Sequence, residues 1–365
     1  MARTPFQIRL LPRLPITYRT ANKKIRIIGA LKKTTLLAPF MECKLHRAIV
    51  LCALIVACFS SQNAQCQDPT FTQFYANPLY LNPALAGTAT CPRVVLNYRN
   101  QWPALSGNFV TTGASYDQYV DAISGGVGVY LMTDNAGRGT LTQFSVNAIY
   151  SYQVALSENV SMVAGFQASY FQRNLDWSRL TFGDQIDPRR GFIYESQDRE
   201  RGGKVDNVDF SSGFVIFSET FFGGVAVHHL FEPNESLIVQ EAPLERKYTV
   251  HAGAKIPMGR DIKGNTDTYI SPNILYQQQY DFQQFNLGVY IQKGPLIGGV
   301  WYRFEDSFII LLGVETDRFK TGYSYDLTTS RLTTQTAGSH EISFAFNFNC
   351  KPKKKKFRAI KCPAF

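Results

Sequence analysis

The chain is 365 residues long, 18% charged and 13% aromatic, with Phe (27) and Tyr (19) far outnumbering Trp (3). That length accommodates one large barrel or about two ordinary domains. A mean hydropathy near zero excludes a bundle of membrane helices but not a membrane β-barrel, whose strands alternate apolar and polar positions. The net charge of +10 gives no case for a nucleic-acid partner, because it sits in the two ends: residues 1–66 carry 11 Lys/Arg and one acid, residues 351–361 carry seven Lys/Arg and no acid, and the body from Gln67 to Cys350 stands at −7.

Residues 1–40 hold nine Lys or Arg and no Asp or Glu. They read as a transit-type leader, or more simply as sequence upstream of a true start at Met41. After Met41, Lys44 and Arg47 make a basic n-region, Ala48 to Phe59 is an apolar run, and Ala64 and Cys66 occupy the −3 and −1 positions of a small-x-small cleavage site. The run is too short for a spanning helix, so 41–66 is predicted to be a secretory signal peptide with a mature start at Gln67. Competing readings are a buried helix opening a soluble domain and a lipoprotein box ending at Cys58. The export-type flanks and the cleaner later site favour the signal peptide.

Residues 67–92 contain the most specific motif. Gln67-Asp68-Pro69-Thr70-Phe71-Thr72-Gln73-Phe74-Tyr75-Ala76-Asn77-Pro78-Leu79-Tyr80-Leu81-Asn82-Pro83-Ala84-Leu85-Ala86-Gly87 carries two Asn-Pro dipeptides five residues apart. Asn-Pro initiates turns, a residue before Pro avoids the helical region, and two prolines would break a strand ladder. The segment is expected to be a compact, turn-rich periplasmic or luminal element with aromatic anchors. Two roles are open: a lumen plug that stabilises a barrel, and a docking element presenting Asp68, Pro69, Phe71, Gln73, Phe74, Asn77, Pro78, Tyr80, Asn82, Pro83 and Gly87 to a partner.

From Arg93 to Asn349 a period of two replaces any helical period. Phe285, Leu287, Val289 and Ile291 alternate with Asn286, Gly288, Tyr290 and Gln292; Ile342, Phe344, Phe346 and Phe348 alternate with Ser343, Ala345, Asn347 and Asn349. Phe144 to Val154 behaves alike. One greasy and one polar or small face suits a strand between lipid and a wet lumen, although a soluble sandwich shares the pattern. Strands are predicted at 93–101, 109–119, 124–133, 141–154, 158–172, 208–218, 221–229, 247–256, 268–279, 284–292, 297–304, 307–314, 319–326 and 340–349. Most match the roughly 9–11 residues of a tilted membrane strand better than the roughly 5–6 of a soluble one. The fold class is therefore an all-β transmembrane antiparallel barrel of about 14 strands. The long connections 173–207, 230–246 and 327–339 follow odd strands, and the connections 120–123, 155–157, 219–220, 293–296 and 315–318, all after even strands, are short, which puts both barrel ends in the periplasm. The stretch 257–267 breaks this rule.

The tail 350–365 is basic, with Lys353, Lys354, Lys355, Lys356 and Arg358 interleaved with Phe357 and Ile360 before Phe365. It is read as a periplasmic docking peptide for an acidic partner or anionic head groups, against the plainer reading of a solvated tail. Three of seven cysteines survive cleavage: Cys91, Cys350 and Cys362. Cys350 and Cys362 bracket the tail and are candidates to pair, which would leave Cys91 free. His228-His229 is expected to point to opposite faces of a strand and so to hold no common metal. The sequence has no phosphate loop, HExxH helix or Ser/His/Asp arrangement; no enzyme, cofactor or metal site is predicted.

The opening QDPTFTQFYANPLYLNPALAGT resembles the signature that begins mature members of the PorP/SprF family of type IX secretion and gliding proteins. Cys350-Lys-Pro, the basic run, and Arg358-Ala-Ile-Lys-Cys-Pro-Ala-Phe365 are similar to its SprF-type members. The resemblance spans Gln67–Phe365, and the leader before Met41 departs from it. It implies an outer-membrane barrel in contact with the lipid bilayer. It also implies partners among the type IX translocon and periplasmic ring subunits, and a role in export or surface anchoring of secreted adhesins or their C-terminal signal domains. The alternative function is an outer-membrane transport barrel for hydrophobic small molecules, which an open apolar lumen would favour.

Overall fold

The alternating segments build one continuous antiparallel wall. In the computed structural model the described residues are 67–89, 91–187, 189–194, 203–237, 241–260, 266–329 and 336–349. The leader 1–40, the signal segment 41–66 and the tail 350–365 lie outside them. The wall consists of β1 (Arg93–Gln101), β2 (Phe109–Val120), β3 (Gly125–Ala136), β4 (Leu141–Ala155), β5 (Ser161–Leu175), β6 (Lys204–Phe217), β7 (Phe221–His228), β8 (Lys247–Ala254, resuming at Ile256–Arg260), β9 (Thr266–Gln279), β10 (Phe282–Lys293), β11 (Leu296–Arg303), β12 (Ser307–Glu315), β13 (Phe319–Thr328) and β14 (Ser339–Asn347). Each strand pairs with its sequence neighbour. β1 pairs with β14 from Arg93↔Asn347 to Gln101↔Ser339, which closes the fourteen strands into a barrel and leaves no sheet edge.

Burial is inverted relative to a soluble protein. Phe285, Leu287, Val289 and Ile291 are 38%, 47%, 37% and 54% exposed, while Asn286 and Tyr290 between them are at 0% and 1%. Ile342, Phe344 and Phe346 are likewise exposed and Glu341 and Ser343 buried. An outward apolar face with an inward polar one is the solution for a barrel in lipid, where every backbone polar group must find its partner within the wall.

The two ends of the barrel differ as the loop lengths predicted. The chain enters β1 and leaves β14 at the end where 121–124, 218–220, 294–295 and 316–318 turn; the long connections 176–203, 229–246 and 329–338 lie at the other, beside the short turns 280–281 and 304–306. The exception at 257–267 resolves into strand: after Lys255 the chain resumes pairing with β9 at Ile256↔Ile270, with register shifts around Gly259, leaving only 261–265 between strand segments. The first long loop also shrinks at both ends, because β5 runs to Leu175 and β6 begins at Lys204. Cys91 is disulfide-bonded, so of the pairings the sequence left open, the one between Cys350 and Cys362 that would leave it free is not the one formed.

Candidate functional site

The Asn-Pro segment fills the lumen. It folds as three short helical turns, Phe74–Ala76, Pro78–Leu81 and Pro83–Leu85. Each Asn-Pro pair starts one of them, with Asn at the cap and Pro at the first helical position, where its missing N–H costs nothing. The Asn82 side chain accepts from the Ala84 amide at 2.9 Å, and its amide group donates to the Phe214 and Val225 carbonyls at 3.2 and 3.1 Å. The motif's second Asn thus caps its own turn and ties it to β6 and β7. Asn77 makes no side-chain cap; its amide group donates to the Tyr130 hydroxyl at 3.2 Å.

The plug runs the length of the barrel. Its first residues stand at the long-loop end. The Asp68 amide donates to Gln279 at 3.0 Å, and the Asp68 carboxylate meets His229 Nε2 at 2.9 Å and Lys247 Nζ at 3.3 Å. His229 Nδ1 meets Asp209 at 2.7 Å on its other side. Burial alone would strip the charge from His229, but Asp68 and the bond to Asp209 override it and push its pKa up to about 9. Burial works against the Asp68 charge too, yet His229 and Lys247 hold that carboxyl below the ordinary carboxylate range. Tyr80 completes this end by donating to the Pro69 carbonyl, packing edge-on to Phe71 at 5.1 Å, and lying under Lys247 Nζ at 4.6 Å.

Next along the plug, the Thr72 and Gln73 amides donate to the Glu341 carboxylate at 2.6 and 3.0 Å. Arg99 bridges Glu341 at 3.3 Å and Asp326 at 3.0 Å, and its guanidinium also donates to the Thr72 hydroxyl. The Gln73 side chain donates to the Glu341 carbonyl at 3.0 Å and accepts from Ser343 at 2.5 Å. The Glu341 and Arg99 side chains are 0% and 2% exposed. Their charges are tolerable only because each is paired and hydrogen-bonded.

Toward the short-turn end the contacts become apolar. Phe74, Tyr75, Leu81 and Leu85 pack against Val215, Phe222, Trp301 and Leu311, and Leu79 joins Phe71, Tyr130 and Ile149. Here the plug lies directly on wall glycines. A Cβ at Gly165 would stand 2.2 Å from the Ala84 nitrogen, and one at Gly213 2.1 Å from the Asn82 side-chain oxygen. At the exit the Gly87 amide donates to Asp117 at 2.9 Å, whose carboxylate also takes a two-pronged bond from Arg93 at 3.0 Å.

Of the residues expected to meet a partner, the structure gathers Asp68 to Gly87 inside the lumen, and it buries Phe71, Gln73, Phe74, Asn77, Pro78, Asn82, Pro83 and Gly87. The residues not buried between Gln67 and Gly87 are Gln67, Asp68, Pro69, Thr70 and Tyr80. Lys353, Lys354, Lys355, Lys356, Arg358 and Phe365 fall outside the described residues. Sequence reasoning missed the wall partners Arg99, Asp117, Asp326 and Glu341; inward-facing charges on lipid-facing strands were the available signal. The expectation for His228-His229 is also corrected. β7 ends at His228, and His229, at φ 59°, turns back, so both rings line the same side of the lumen.

A closed fourteen-strand barrel, apolar outside and filled by its own N-terminal segment, defines a plugged outer-membrane barrel protein. The chain belongs to the type IX secretion system membrane protein PorP/SprF family, whose model matches residues 63–346. It is thus an outer-membrane component of type IX secretion, associated with that machinery, and its family and fold are those of a membrane barrel and not of an enzyme. No curated protein matches the chain in sequence. Solved structures with similar folds include the outer membrane protein Omp33 of Acinetobacter baumannii (11% identity, TM-score 0.40, 71% of this chain and 98% of that one). They also include a FadL homologue of Pseudomonas aeruginosa (11%, 0.41, 78% and 100%) and the toluene transporter TodX of Pseudomonas putida (10%, 0.41, 74% and 93%).

Proposed function

We propose that this barrel serves type IX secretion as a plugged docking platform that assists export or surface anchoring of a cargo protein while its own lumen stays closed. The observation that carries the reading is the plug, bonded to the wall from Asp68 to Gly87 along the whole lumen. A conduit for hydrophobic small molecules needs an open apolar path, and here that space holds Phe74, Leu79, Leu81 and Leu85. Docking is assigned to the parts that reach the mouths: Gln67–Thr70 beside the long loops, and the basic tail of Lys351–Phe365 on the periplasmic side, where it would meet an acidic ring or translocon subunit.

The test is to tether the plug. Cysteines in a Thr72→Cys/Asp326→Cys variant, whose native side chains meet at 2.6 Å, are joined by a short thiol crosslinker in the assembled barrel. Cargo secretion in cells carrying the tethered barrel is expected to continue at the level of the same variant left uncrosslinked. Secretion that stops on crosslinking would mean that the lumen opens, and the transport reading would replace this one.

A further inference from the structure

Between the plug and the inner faces of β3 to β8, at the long-loop end, lies a chamber of about 50 Å³. Its floor is Tyr80 and Tyr130, and Phe171 and Met132 add apolar surface. Its polar wall has three properties that together specify a ligand.

The first is charge balance. The ionic groups at the chamber, Asp68, Asp209, His229 and Lys247, are spent on one another in the contacts already described, two acids against two bases. A charged ligand would have to break one of these pairs in a low-dielectric site.

The second is a set of orphaned polar atoms. Gln167 is 8% exposed; its amide group donates to Asn147 at 3.1 Å and Ser169 at 3.0 Å, while its oxygen has no partner. His228 is 7% exposed and its ring Nε2 has no partner. A buried polar atom left unmet is costly, so two on one small cavity call for hydrogen-bonding groups inside it.

The third is a set of undirected hydroxyls. Ser145 and Ser169 accept bonds from Asn147 and Gln167 and keep their own protons to donate, and Ser211 makes no hydrogen bond to any described residue. The chamber therefore offers acceptors and donors side by side with no net charge.

We propose that this chamber binds a small neutral polyol, either a three-carbon one or the hydroxyl-bearing edge of a single sugar, entering from the long-loop side. A hydroxyl is the group that donates and accepts at once without charge, and the Tyr and Phe faces suit the C–H side of such a molecule. The volume equals roughly three to five water-sized positions, which bounds the ligand at that size. Because Asp68 and Tyr80 form part of the chamber, an occupant would also hold the N-terminal end of the plug in place. The proposal does not rest on the secretion reading, and its test uses the purified barrel without any cargo.

Full-length barrel in detergent is titrated with glycerol and glucose, and with glucuronate and glucosamine as charged counterparts. Saturable binding of glycerol or glucose is expected, with the charged sugars about tenfold weaker or more. Gln167→Leu and His228→Phe should each weaken the neutral ligand by about tenfold, the loss expected where a buried polar partner is removed. Ser211→Val serves as the variant safest for folding, because no bond is broken, and should weaken it as well. Gln277→Leu, at a luminal position outside the chamber, should leave binding unchanged. Glycerol alone binding would identify the free polyol, and glucose alone the sugar edge. Absence of saturable binding by all four compounds, or binding indifferent to the three chamber variants, would overturn the proposal and leave a chamber that holds only water.

Discussion

The two ends of the plug are held by different physics. At the long-loop end, Asp68, Thr72 and Gln73 are fixed by ions and hydrogen bonds to His229, Lys247, Arg99 and Glu341. Toward the short turns, Leu81, Ala84 and Leu85 are fixed by apolar burial, by the Ala84 backbone laid on Gly165 and by the Asn82 side chain laid on Gly213. Apolar packing has no charge to titrate, whereas a paired charge depends on its partner's protonation and is expensive to leave alone. The plug is therefore seated mainly by packing at the short-turn end and latched mainly by ions at the other.

The comparison is broken most severely by removing one member of the buried ion cluster. Glu341→Ala takes away the acceptor of two plug amides and leaves Arg99 with Asp326 alone. The expected loss is about 3–5 kcal/mol, and the variant's melting temperature against wild type reads it. Glu341→Gln, which keeps the shape and part of the hydrogen bonding, should lose less. Equal losses would mean that charge is not what holds this end.

A smaller but still large effect is expected at the apolar end. Gly165→Val places side-chain atoms where the Ala84 backbone now lies, at a cost of about 1–3 kcal/mol or more from overpacking. The folded barrel should persist, since the wall's own ladder is intact, while protease reaches the segment between Gln67 and Gly87. A plug that stays protected in Gly165→Val would show that this end is looser than the contacts indicate.

The smallest effect sharpens the latch. His229 has a pKa raised from 6.5 to about 9. Its contribution is thus fully present below about pH 6.5 and is lost as pH rises through about 9. Wild type should lose a few degrees of melting temperature between pH 8 and pH 10 that His229→Gln does not lose. A parallel loss in both proteins would place the titrating group elsewhere.

The strands were legible because lipid and lumen impose opposite demands on alternate residues, as Phe285 to Gln292 displays without any tertiary information. That the chain turns at Pro78 and Pro83 was legible because an Asn-Pro pair initiates a turn; that those turns are helical was not. The seat of the plug was not. Thr72 and Glu341 lie 269 residues apart, and nothing in either local pattern announces the other. Gly165 and Gly213 read as ordinary strand glycines until the Ala84 backbone is seen resting on one and the Asn82 side chain on the other. His229 escaped for a subtler reason: period-two reasoning holds only while the strand continues, and the positive φ at His229 ends it.

The central claim is a lumen closed by a plug whose Gln67 end faces outward. A short epitope inserted after Gln67 tests it directly, with the same epitope in the Gly294-Pro295 turn as the opposite-end control. On intact cells, antibody should bind the Gln67 insertion and not the Gly294 insertion, and both should react once the outer membrane is opened. Staining of intact cells at Gly294 with none at Gln67 would reverse the barrel and contradict the account.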